Sequence, residues 1–238
     1  MVIFKRFVLA AMIFAALPAL ATAQTRPGLT ADAPEMTVEQ SYLQESIELM
    51  IIREQSRADS RDMKLVALDS IGDAIDRGNK SAEIHSALEF LSLEGIVNPT
   101  RLEGRVINNF PDIRVKAATI LGKLGTPEAS NTLIRMVSVD NEPMVITEAI
   151  KSLGIIGDNT NEVAVNTIAW TVNRFNNLNP DNQLAVSAIE AFEKISAANG
   201  GQLSQTAVQT LMRIAEGNYT RIVQERARMA LLDMRRPH

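Results

Sequence analysis

Between residues 60 and 235 the apolar positions fall into blocks in which a small residue, a large aliphatic one and a glycine return at fixed offsets. The first block, DMKLVALDSIG, places Ala67, Ile71 and Gly72; the next two place Ala117, Leu121 and Gly122, then Ala149, Leu153 and Gly154. Fainter copies stand at Ala188 with Phe192 and Ile195, and at Ala227 with Leu231 and Met234. From alanine to alanine the intervals are 50, 32, 39 and 39 residues. Spacings of three and four within each block predict an amphipathic helix. A second amphipathic helix follows each one, over Ser81 to Leu93, Pro127 to Val139, Asn161 to Phe175 and Leu203 to Glu216. A hairpin of two such helices cannot bury its apolar face alone and must lean on its neighbours, which is why periods of this length predict a stack. The expected fold is therefore all-α: a solenoid of stacked antiparallel helical hairpins.

The boundaries of the stack are also legible. Thr37 and Gln40 make a capping box, and Leu43, Ile47, Met50 and Ile51 recur at helical spacing, so a helix over 37–58 is predicted as the N-terminal cap. One solenoid domain is expected over 37–238. Gly125 and Gly157 stand where left-handed turns end helices, and Pro127 where a first helical turn accepts proline. The segment VNPTRLEGRVINNF, Val97 to Phe110, breaks the pattern and reads as an elongated connector or a short extra helix.

The block DIRVKAATILGKLG resembles a HEAT repeat, of the armadillo-like group that includes the short bilin-lyase type. Asp112, Arg114, Lys116, Ala117, Ala118, Leu121, Gly122, Leu124 and Gly125 carry the resemblance. The next copy keeps Ala149, Leu153, Gly154, Ile156 and Gly157 but has neither the aspartate nor the arginine. What the resemblance implies is an α-solenoid and a binding or scaffolding role. It transfers no catalytic residue, because the motif concerns packing.

Ahead of the repeats, MVIFKRFVLAAMIFAALPALATAQ runs from Lys5 and Arg6 through an apolar stretch to Ala21-Thr22-Ala23. That order is the one of a secretory signal peptide over 1–23, with 24–36 as a flexible lead-in. The uninterrupted apolar run from Phe7 to Leu17 is shorter than a membrane span, so no stable membrane insertion is expected after cleavage. A periplasmic or secreted location follows. The formal net charge is −4, and loss of Lys5 and Arg6 makes the mature chain more acidic, which argues against nucleic acid as a partner. Absence of cysteine removes disulfides, thiolate nucleophiles and thiolate metal sites together.

Little chemistry remains. His85 and His238 are the only histidines and read as surface residues, so no zinc site or Ser-His-Asp triad is expected. Asp69, Asp73 and Asp76 share a helix face, read as solvated rather than catalytic, and the acidic turns at Asp140 and Asp158 read as helix caps rather than calcium loops. No cofactor, no metal and no enzymatic activity are expected. More specific is the second-helix pattern. With Leu133/Val137, Ile168/Val172 and Leu211/Ala215 as one apolar face, Arg135, Trp170 and Arg213 lie roughly 200° around each helix, one per repeat. Arg174, four residues after the single tryptophan, joins them. This pattern predicts a partner-binding inner ridge of second helices suited to an acidic or aromatic-bearing protein or peptide. An inter-repeat seam around Trp170 is the packing alternative. The functional expectation is a scaffold or interaction protein of the cell envelope, with a small-ligand carrier or an enzyme using the solenoid groove as the alternative.

Overall fold

A computed structural model describes residues 37–178, 180–202 and 204–233. The expected leader, its lead-in, Leu203, Met234 and His238 lie outside them. Helix α1 (Val38–Arg57) opens with the expected capping box, in which Thr37 accepts from the Gln40 amide and Gln40 accepts from the Thr37 amide. Then come α2 (Arg61–Asp76), α3 (Ala82–Ser92) and a β-hairpin, β1 (Arg101–Leu102) with β2 (Arg105–Val106). The rest is helical: α4 (Pro111–Leu124), α5 (Pro127–Val139), α6 (Pro143–Ile156), a short 3-10 turn, α7 (Val163–Leu178), α8 (Asn182–Ala198), α9 (Gln205–Glu216) and α10 (Arg221–Asp233).

These helices form two layers. First helices α2, α4, α6, α8 and α10 pack each on the next, and second helices α1, α3, α5, α7 and α9 do the same alongside. The expected all-α solenoid is what the chain builds. All five repeat alanines, Ala67, Ala117, Ala149, Ala188 and Ala227, are fully buried, and so are the large partners Ile71, Leu121, Leu153 and Phe192. Alanine recurs there because a larger side chain at the closest approach of two helices would push them apart.

The first-helix layer is the tighter one. A Cβ added at Gly122 would lie 2.8 Å from the Ser152 hydroxyl, and one at Gly154 would lie 2.7 Å from the Ala191 Cα. Contacts of α4 with α6 and of α6 with α8 are accordingly the most extensive in the fold, while the second helices touch one another less. Gly125 and Gly157 end α4 and α6 in the left-handed conformation, at φ of 67° and 71°.

At Val97 to Phe110 the structure replaces both expected alternatives. The segment is neither a plain connector nor a helix but carries the short hairpin, turning through Glu103 and Gly104 at positive φ. A buried polar knot holds its base. Asn108 donates to Glu94 Oε1 at 2.9 Å and to the Asn98 carbonyl, and Lys64 Nζ lies 2.8 Å from the same Glu94 oxygen. Arg114 donates to the Glu94 carbonyl, to Asn109 and, at 2.7 Å, to Asp140 at the C-terminal end of α5, with both charged side chains essentially inaccessible. Outside the knot, lysines of α4 tie the repeats together across the surface: Lys116 meets Asp69 and Lys123 meets Asp76. Those two acids are structural rungs.

Two stability outcomes follow. Gly154→Ala should lower stability by about 1–3 kcal/mol through overpacking, whereas Gly72→Ala, where nothing lies within 4 Å of the added methyl, should raise it by about 0.5–1 kcal/mol in urea titrations. Asp140→Ala leaves Arg114 buried without its counter-charge and should cost about 3–5 kcal/mol by the same measurement.

Candidate functional site: the face of the second helices

The apolar positions inferred for the second helices are buried as the periodicity requires: Leu133, Val137, Ile168, Val172, Leu211 and Ala215 all face inward. Rotation about each helix then places Arg135, Trp170 and Arg213 on the outer side of α5, α7 and α9. Because these helices are successive members of one layer, the residues form a row with one rung per repeat. Each rung has its own surroundings.

Trp170 is 54% exposed. It is therefore not sealed into a seam, although it borders one: with Ser138 of α5 and Val163, Asn166 and Thr167 of α7 it lines a cleft of about 450 Å³. The Arg174 guanidinium lies 5.3 Å from the indole ring and 5.2 Å from the Phe175 ring, so it bridges both aromatic faces. A cation there is attracted by the ring quadrupoles and holds the indole in place. Arg135 is half-exposed and donates to Glu89 of α3 at 3.2 Å. Arg213 is exposed near the C-terminal end of α9.

Arg135 also stands in the wall of a second and larger cleft, of about 520 Å³, which the sequence did not disclose. Its floor is Leu49, Ala87, Phe90, Leu93 and Val97, and its rim carries Arg53, Arg57, Glu83 and Glu89. The cleft opens where α1, the first helix of the stack, packs on both α2 and α3. Arg53 and Arg57, one turn apart on α1, were the available signal. Nothing in their spacing shows which layer α1 joins.

Among the other candidates, His85 is half-buried with Nε2 3.4 Å from the Thr132 hydroxyl. Asp140 serves the knot and accepts from the Glu142 amide. Asp158 accepts from the Thr160 hydroxyl at 2.6 Å and from its amide, and these bonds hold its carboxyl below the usual range. Each acid thus closes a turn onto the amide two residues on and is not the expected helix cap, since the N-cap residues Glu142 and Asn159 make no side-chain cap bond.

Residues 101–168 match the family model for HEAT repeats. No curated protein matches the chain significantly. Among solved structures, the complex of CpcE and CpcF of phycocyanin lyase from Nostoc sp. PCC7120 is similar over 92% of this chain and 70% of that one, at a TM-score of 0.53 and 18% identity. That likeness is one of fold. The chain is an α-solenoid of stacked hairpins, and its residues 101–168 are similar to HEAT repeats. Such repeats generally mediate contact between proteins. One expectation is corrected by the comparison: the inference that the chain is no enzyme fails, because this fold also builds a lyase. Lack of a nucleophile or a histidine pair says nothing decisive on a scaffold whose motif concerns packing.

Trp170 is the only tryptophan, so its emission reports on this face alone. It should be readily quenched by acrylamide, and Arg174→Ala should increase the quenching while changing stability by less than about 1 kcal/mol, since the stacked pair is partly solvated.

Proposed function

We propose that this chain is an exported interaction protein of the bacterial cell envelope that holds an extended segment of a protein partner along its second-helix face. The observation that carries this reading is the exposed Trp170, steadied by Arg174, in a row with Arg135 and Arg213. Tryptophan and arginine supply most of the binding energy at protein interfaces, and a half-exposed indole beside a cleft is unspent apolar surface. Arginines at every rung favour an acidic partner. The clefts along this row, bordered by Arg135 and by Trp170, give side chains of the partner places to anchor.

Export rests on the charged, apolar and small-residue order of residues 1–23, and periplasmic residence is part of the same proposal. Among the described residues no helix is long and apolar enough to cross a membrane. A second reading rests on the α1–α3–α5 cleft, whose volume suits a small organic ligand, with Arg53 and Arg57 at its rim to receive an acid group. That the structural neighbour is a complex of a phycocyanin lyase makes a ligand-handling role for such a groove reasonable.

Cross-linking in the host's envelope followed by mass spectrometry separates the two readings. A partner protein recovered repeatedly should be bound at least about tenfold more weakly by Trp170→Ala, and should be lost when Arg135→Glu and Arg213→Glu are added. Unchanged capture by the triple variant would remove the second-helix face from consideration.

A further inference from the structure

Terminal helices of a solenoid normally turn a polar side outward, because no further repeat covers them. Helix α1 does the reverse. Its inward side offers Ile52, Ser56 and part of Leu49, whereas Leu43, Ile47, Met50 and Ile51 are exposed by 61%, 55%, 61% and 48%. Leu43, Ile47 and Met50 follow one another at intervals of four and three, which lays a straight apolar seam along the helix, closed by Gln40 and Glu54 at its ends. A contiguous exposed seam with polar ends marks a helix-pairing surface.

Charge indicates what pairs with it. On the flank toward α2, Glu45 donates nothing and accepts from Asn79, and Glu48 is paired with Arg77, so those acids are occupied within the chain. Along the other flank, Glu39, Ser46 and Arg53 stand seven residues apart, on one line, and among the described residues neither Glu39 nor Arg53 makes an ion pair. Such a line is complementary to itself in one orientation only. If two copies run antiparallel about Ser46, each Glu39 comes opposite Arg53 of the other copy. In a parallel pair this line would face the partner's other flank, which carries Gln44 and Ile51, and neither bridge would form.

We infer that α1 is a homodimerisation helix: two copies of the chain pair antiparallel through Leu43, Ile47 and Met50, with two symmetric Glu39–Arg53 bridges. The contact is isologous and closes on itself, so it yields a dimer and not a fibre. Its seam spans about two helical turns, a small contact of the kind found in weak, concentration-dependent association. This surface lies opposite the side of α1 that packs on the stack, and it is independent of Trp170.

Sedimentation analysis of the purified protein tests the inference, with helicity followed by circular dichroism to show that each variant stays folded. Ile47→Asp should abolish the dimer. Glu39→Arg and Arg53→Glu should each weaken it at least about tenfold by setting like charges face to face, and the double variant should restore it. Trp170→Ala should leave it unchanged. A protein that stays monomeric up to about 200 µM, a dimer that survives Ile47→Asp, or a double variant no better than the single ones would overturn the proposal. So would a monomer in which hydrogen exchange shows residues 24–36 covering α1 in place of a second copy.

Discussion

The distance between successive first helices sets everything else in this molecule. Where α4 meets α6, and α6 meets α8, a glycine faces a serine or an alanine with no room for another carbon. That approach lets the aliphatic side chains behind it interlock, because a stack held apart by even one methyl group would leave voids along its whole core. It also makes the layers unequal. First helices crowd together, second helices stand further apart, and clefts open on the looser side.

Binding capacity is thus a by-product of packing. A close-packed layer supplies rigidity, and the looser layer beside it supplies clefts and exposed rungs at the same repeat. Trp170 illustrates the division: its neighbours Ile168, Ala169 and Val172 are buried in the core while its ring stands in solvent against Arg174. The side chain is held by one layer and offered by its other edge. Whatever occupies this face meets groups whose positions are fixed before it arrives, which reduces the entropy lost on association.

Much of this was legible in the residues because the packing within each repeat is local. Ala117, Leu121 and Gly122 announce a helix, its buried side and its closest approach in a single turn, and α5 begins and ends at the residues its proline and its apolar pattern indicate. What escaped depends on relations between distant segments. The layer α1 would join, and hence the cleft at Arg53 and Phe90, follows from docking rather than from period. The seam of α1 was visible as a periodic stripe, but periodicity cannot distinguish an apolar side that faces the stack from one that faces out. The hairpin at Arg101 to Val106 was hidden for a different reason: two-residue strands leave almost no alternation to read.

The polar knot beneath that hairpin solves a problem that apolar layers leave open. Aliphatic ridges are forgiving, and one helix slid a turn along another finds a similar set of methyl groups waiting. Arg114, Glu94, Lys64 and Asp140 are not forgiving, since a shift of one turn would strand several buried charges at once. The two helical hairpins that share the knot, α2–α3 and α4–α5, can therefore dock in a single registry, and the longest interval in the repeat pattern is the place where their alignment is decided.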